Sequence, residues 1–376
     1  MNEKDICEKK CYGCTACACV CPCSAISMKE DEKGFLYPRV DNSLCIDCGL
    51  CKKTCSQKNE YSTVETSFIA KHKDEKIYLN SQSGGAFTAL SDIILQSGGT
   101  VYGASLDGNF EPVHTRATCM EERDAMRGSK YVQSRMEDIY IKVGEDVKDK
   151  KVLFSGTPCQ VGGLLKYLKV KGIGTKNLYT VDIICHGVPT VRLWRDLMAY
   201  YEKKEKSRIE RVVFRDKNAG GVARPCHYFF VKKKRISDEL HRKLFYSNLA
   251  LRDSCFSCDY AQMGRISDFT IGDAWGVEDK NPEFYDKRGV SLLMFHTEKA
   301  RTLKHQIEDA MWMESIDIEN YKQGNMQHPS SPHRNVEEFW NDYHSKPFPF
   351  IIEKYARNNI FLNIRFILRR IRGAVK

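Results

Sequence analysis

The chain has 376 residues, of which 42% are hydrophobic, 29% charged and 11% aromatic. That is enough apolar mass for two or three packed domains and too much aromatic content for a disordered chain. Mean hydropathy is −0.48 and no apolar run reaches bilayer-spanning length, which argues against an integral membrane protein. The unusual quantities are 17 cysteines and a formal net charge of +10, and neither is evenly spread.

Eleven of the cysteines fall within residues 1–55, and residues 353–376 carry +6 of the +10. The opening MNEKDICEKK lacks the apolar stretch of a secretory signal, so the expected compartment is the cytoplasm. Dense cysteine in such a chain points to metal or redox chemistry rather than to disulfides. With so little positive charge left outside the tail, the body is not a basic platform for nucleic acid.

CYGCTACACVCP (11–22) sets Cys11, Cys14, Cys17 and Cys21 in a CxxCxxCxxxCP run. CIDCGLCKKTC (45–55) repeats the spacing with Cys45, Cys48, Cys51 and Cys55, and Ser56 stands where the proline would be. Three thiolates at this spacing wrap one face of a 4Fe-4S cubane, and the fourth crosses to the other cluster. One cluster is thus expected on Cys11, Cys14, Cys17 and Cys55, and a second on Cys45, Cys48, Cys51 and Cys21. Cys7, Cys19 and Cys23 fall outside this frame. Zinc also takes four cysteines, but its ribbons use paired CxxC knuckles rather than this run twice over. The head, residues 1–58, resembles a bacterial-type ferredoxin domain with two 4Fe-4S clusters.

Residues 59–66 belong to a polar stretch without apolar period and read as a linker. A body at 67–345 follows, with a subdivision near 150 as one option. SQSGGAFTALSDIIL (81–95) predicts a loop opening a helix whose apolar face is Phe87, Leu90, Ile93 and Ile94. Gly84 and Gly85 would let backbone approach a ligand, and the helix start suits a phosphate; the alternative is an ordinary turn. A strand is expected at 101–104, then a Gly/Ser turn in RGSKYVQS (127–134). From 151 the pattern becomes βα. KVLFSGTPCQ predicts a strand, a turn at Gly156–Pro158 and a helix burying Val161, Leu164, Leu165 and Leu168. LYTVDIICHGVPT repeats the arrangement, with a turn at His186–Pro189 and a helix burying Val191, Trp194, Leu197 and Met198. Consecutive βα units imply a largely parallel sheet with ligands at the carboxyl ends of its strands, where Cys159 and Cys185 fall. IERVVFR and PCHYFFV read as a hairpin, and CFSC (255–258) supplies a CxxC. RISDFTIGDAWG reads as a strand and turn, and VSLLMF as a last strand before a helix over 297–313.

Taken in order, SQSGGAFTAL, RGSKYVQS, FSGTPCQV, DIICHGVP, CFSCDYA and SDFTIGDAWG resemble the family of coenzyme F420 hydrogenase and dehydrogenase beta subunits, over roughly residues 65–300. The fold class expected is α+β and α/β: a small two-cluster ferredoxin domain followed by a mixed, largely parallel sheet that holds flavin and iron–sulfur. The resemblance implies an oxidoreductase using FAD and 4Fe-4S centres to pass electrons to a two-electron acceptor, in several members the deazaflavin. It makes Ser83, Gly84, Gly85 and Thr88 candidate flavin contacts, joined by Gly128, Ser129, Lys130 and Tyr131. Lys130 would stabilise an anionic reduced flavin, or is a solvated loop lysine. The resemblance also implies a third 4Fe-4S cluster on Cys159, Cys185, Cys255 and Cys258. A redox-active CxxC at 255–258 and inert buried thiols at 159 and 185 are the alternatives. His186 is a candidate proton donor or a turn residue. The expected partners are a redox partner protein or ferredoxin and a small-molecule acceptor, and a pure electron-transfer role within a larger enzyme is the competing reading.

The tail, 346–376, contains IFLNIRFILRRIR, with Ile360, Ile364, Ile367, Leu368 and Ile371 on one face and arginines toward the other. Such a basic amphipathic helix suits an anionic membrane surface, or packs on its own domain.

Overall fold

The computed structural model describes residues 6, 10–56, 58–217, 226–232 and 234–357. In the head, Ile26–Glu30 (β1) and Leu36–Val40 (β2) form an antiparallel hairpin between the short helices Ala16–Val20 and Leu50–Ser56. Body strands follow at Thr66–His72 (β3), Thr100–Leu106 (β4), Pro112–Ala117 (β5), Val152–Gly156 (β6) and Leu178–Ile183 (β7). Ile209–Val213 (β8), Cys226–Phe230 (β9) and Arg235–Asp238 (β10) form a separate antiparallel sheet. The chain then returns with Phe269–Asp273 (β11), Ser291–Phe295 (β12) and Met311–Ser315 (β13).

The eight-stranded sheet has the order β13-β3-β12-β11-β7-β6-β4-β5. Its centre, β4, β6, β7 and β11, is parallel, and antiparallel strands flank it on both sides. The sheet is therefore mixed with a parallel core, as the βα units predict. Val152, Leu153 and Phe154 of β6 are all fully buried, the run of apolar residues a strand needs when both faces are covered. The helix after β6, Pro158–Lys171, begins with Thr157 and Gln160 in a capping box and Pro158 in its first turn, and ends on left-handed Gly172. Its start and the end of β7 thereby deliver Cys159 and Cys185 to one edge of the sheet.

The helix expected over 297–313 divides instead. Glu298–Arg301 and Lys304–Ala310 are helical, but MWMES forms β13 along the otherwise open edge of β3. Edge pairing and burial of Met311 outweigh the helical propensity of Met and Glu there.

The head shares a core with the body. Ala16, Cys19, Val20 and Ile26 pack in one buried group with Tyr140, Phe154, Val161 and Leu164. The segment between them lies along the body: Ser62 bridges Arg265, and Tyr61 Oη donates to the Asp259 carbonyl at 3.1 Å. No helix among the described residues is long and apolar enough to cross a membrane. The amphipathic stretch expected at 360–372 lies outside the described residues.

Candidate functional site

Three separate segments bring thiols to a single cavity. Cys159 comes from the helix start after β6, Cys185 from the loop after β7, and Cys255 and Cys258 from the single-turn helix Asp253–Ser257 and its end. Burial pushes the Cys159 and Cys185 thiols well above their usual range and Cys255 up to about 11, and the neighbouring thiols add to the effect. Four such thiols ionise together only against a strong positive charge, which an iron core supplies. Arg252 and Arg265, each 1% exposed, line the same cavity. Arg265 leaves Nε and Nη2 without hydrogen-bond partners, the arrangement expected beside a group that carries negative charge. The donor set and its charge environment fit a 4Fe-4S cluster.

In the head, Cys21, Cys45, Cys48 and Cys51 line a second cavity, together with Cys23. Cys48 is exposed and flanked by exposed Leu44 and Ile46, so this is the outer set. Cys21, from the first run, thus stands with the second run. The inner set faces the body. Cys14, Cys17 and Cys55 pack against the shared core, and the Cys11 carbonyl accepts from Arg252 Nη1 and Ser254 Oγ, both at 3.1 Å. Gly163 in the Pro158–Lys171 helix explains how close this approach is: a Cβ there would lie 3.0 Å from Cys14 Sγ and 2.7 Å from Tyr140 Oη. Buried Tyr260 sits within electrostatic reach of both Cys14 and Cys159. Cys19 is different, pointing its thiol at the Glu137 carbonyl 3.3 Å away. Among the described residues no three His, Cys, Asp or Glu side chains are placed to hold a metal ion. A cubane sets one thiolate at each of four irons, so its ligands stand around a cavity rather than at a point.

A much larger cavity, about 1070 Å³, opens beside the third thiol set and is of a size to take a dinucleotide. Cys159, Cys185 and His186 line both cavities and form their shared wall. Ser83, Gly85, Thr88, Gly128, Ser129, Lys130 and Tyr131 all line the large one. Gly84 does not play the part expected of it: its N–H donates to Ser291 Oγ at 2.8 Å, and a Cβ there would overlap the Ala70 carbonyl. The close approach it permits is to β3 and β12, not to a ligand. Lys130 Nζ donates to the Ala125 and Arg127 carbonyls at 3.0 and 3.1 Å, and desolvation lowers its pKa to about 7. The side chain is only half-buried by surface, but the surface it shows belongs to the cavity. Gln82 Oε1 and Arg127 Nε, both buried on residues that line this cavity, have no hydrogen-bond partner. These orphaned groups fit a polar, anionic cofactor such as FAD.

Arg215, just beyond the end of β8, donates to Asp273 Oδ2 at 2.9 Å and to Tyr131 Oη at 3.2 Å on the cavity wall. Burial raises the Asp273 carboxyl, but Arg215 outweighs it and holds the group below its usual range. Sequence reasoning missed Arg215, because VVFR offered only a strand and no motif. His186 is held rather than free, with Nε2 2.7 Å from Asn248 Oδ1 and Nδ1 3.2 Å from Asn325 Oδ1.

Residues 149–321 match the family described as the C terminus of the coenzyme F420 hydrogenase/dehydrogenase beta subunit, and residues 10–59 match a 4Fe-4S dicluster domain. The chain is similar to the F subunit of F(420)H(2) dehydrogenase from Methanosarcina mazei, 27% identical over 194 residues, 46% of this chain and 53% of that protein. It is also similar to coenzyme F420-dependent sulfite reductase of Methanocaldococcus jannaschii, 29% identical over 161 residues, 42% of this chain and 25% of that protein. The matches thus span about half of the first relative and a quarter of the second. Among solved structures, a chain of the F420-reducing NiFe hydrogenase complex from Methanosarcina barkeri, derivatized with xenon, aligns with a TM-score of 0.50 and 18% identity. That alignment covers 71% of this chain and 88% of the other, and at such identity it is a likeness of fold alone.

Proposed function

Because the chain belongs to the family of coenzyme F420 hydrogenase and dehydrogenase beta subunits and carries a 4Fe-4S dicluster domain, we propose that it is an oxidoreductase passing electrons between iron–sulfur clusters and, through FAD, a two-electron acceptor such as coenzyme F420 or another organic substrate. The observation that supports this best is the shared wall: Cys159 and Cys185 line the thiol cavity and the large cavity at once. When bound, the clusters supply one-electron storage, and the flavin supplies the junction between single electrons and a hydride.

The chain's own residues do the rest. The three thiol sets hold iron, and buried Arg252 and Arg265 offset the negative charge of the third set. Ser83, Gly85 and the start of the Ala86–Gln96 helix turn backbone and hydroxyl groups toward one end of the large cavity, where a phosphate is favoured. Lys130, poised near neutrality, becomes fully charged beside an anionic ring. The Arg215–Asp273 pair fixes the opposite wall. His186, oriented by Asn248, is the residue on the shared wall that can hold a proton.

A second reading is an electron-transfer component that serves a partner enzyme, favoured by the alignment to one chain of a hydrogenase complex. Anaerobic protein loaded with iron, sulfide and FAD separates the two. Reduction of coenzyme F420 by the isolated chain supports the enzyme. Flavin reduction with exchange only to a partner protein supports the electron-transfer component.

A further inference from the structure

The spacing of the first cysteine run leaves Cys23 without a part, yet the fold does not leave it aside. Cys21 has an extended backbone at the end of the Ala16–Val20 helix, with φ −67° and ψ 115°. In extended chain, residues two apart point the same way. Cys23 Sγ accordingly lies 3.7 Å from Cys21 Sγ and lines the same cavity as Cys45, Cys48 and Cys51. The backbone amide of Ile46, inside the turn that carries Cys45 and Cys48, reaches the Cys23 sulfur. Cys19, the other extra thiol of this run among the described residues, is turned into the body and bonded to Glu137. Five thiols, not four, therefore surround the outer site.

We propose that Cys23 is a standby thiolate ligand of the outer iron–sulfur site, taking the iron corner that Cys21 holds when Cys21 leaves it. The proposal rests on the reading that Cys21, Cys45, Cys48 and Cys51 hold a four-iron cluster. The exchange moves no electrons: one iron–sulfur bond forms at Cys23 as one breaks at Cys21, and the proton released by Cys23 is taken up by Cys21. Where Cys21 is absent, Cys23 gives its proton to solvent and binds the open corner. An exposed site gains most from such a thiol, because water reaches an iron as soon as one ligand detaches.

The test is iron and sulfide content, with the electron paramagnetic resonance of the dithionite-reduced protein, on anaerobically purified full-length chain. Cys45→Ala, which has no neighbouring spare thiol in the frame, provides the reference for losing the outer cluster, about four irons fewer than the native chain. Cys21→Ala is expected to keep the native iron count, and Cys21→Ala with Cys23→Ala to fall to the Cys45→Ala level. A Cys21→Ala count equal to that of Cys45→Ala overturns the proposal. A native chain with fewer than about eight irons instead overturns the two-cluster reading on which it rests. If Cys21→Ala does not fold, Cys23→Ala in the otherwise native chain decides: its outer iron should pass to a chelator at least threefold faster, and an unchanged rate overturns the proposal.

Discussion

Replacing Gly163 with alanine would place a methyl group 2.7 Å from Tyr140 Oη, 2.9 Å from Cys14 Cβ and 3.0 Å from Cys14 Sγ. Two effects compete. Alanine inside a helix is favoured over glycine by about 1 kcal/mol. Overpacking a filled contact costs roughly 1–3 kcal/mol, and here a body residue and a head residue must both give. The balance is a loss of about 1 kcal/mol, expressed where the head meets the helix rather than across the sheet. Hydrogen exchange reads this directly: amides of the Ala16–Val20 helix should exchange about fivefold faster, while those of β6 and β7 keep their rates. Adding Tyr140→Phe removes the hydroxyl that both crowds the methyl and donates to the Gln160 carbonyl at 2.7 Å. The two changes should therefore couple rather than add. Unchanged or slower exchange in Ala16–Val20 would refute the claim that Gly163 seats the head on the body.

Three further outcomes follow from named contacts. Asp273→Asn leaves the Arg215 guanidinium, 12% exposed, without its carboxylate, and should lower stability by about 3 kcal/mol in urea unfolding; a loss under 1 kcal/mol would mean that solvent compensates the arginine. Thr157 Oγ1 lies 3.2 Å from Cys159 Sγ, so Thr157→Val should lower the reduction potential of the third site and Thr157→Ser should restore it, followed by redox titration; equal potentials in all three proteins would remove the hydroxyl from the account. His114, His241 and His296 are held neutral by burial, with pKa values of about 4, 3 and 3. Their folded values lie below the unfolded 6.5, so the unfolded chain binds more protons as pH falls and stability drops below about pH 6.5. Each histidine should contribute roughly 1 kcal/mol of loss between pH 7 and 5.5. His114→Gln should flatten that slope in urea midpoints, and an unchanged slope would contradict it.

Local spacing carried a long way in this chain. The two cysteine runs are complete within 55 residues, and the βα alternation from 151 to 205 is visible because each apolar face repeats at its own period. What the sequence hides is set by distant partners. Nothing near CFSC shows that Arg265 will stand beside it with unpaired donors, because the chain that follows must first bridge back to Ser62. Gly84 looks like a ligand-facing glycine until β3 and β12 are seen against it. MWMES reads as helix on composition and becomes a strand because β3 has a free edge. Cys23 is excluded by counting residues and readmitted by the extended turn at Cys21, which spacing rules do not encode.

The central claim is that Cys159, Cys185, Cys255 and Cys258 hold iron at the wall of the large cavity. Anaerobic iron analysis of the native chain against Cys255→Ser tests it most directly. The account predicts about twelve irons per chain in the native protein and about eight in the variant, with both head clusters retained. An iron count that Cys255→Ser leaves unchanged would contradict it, and the large cavity would then border only inert thiols.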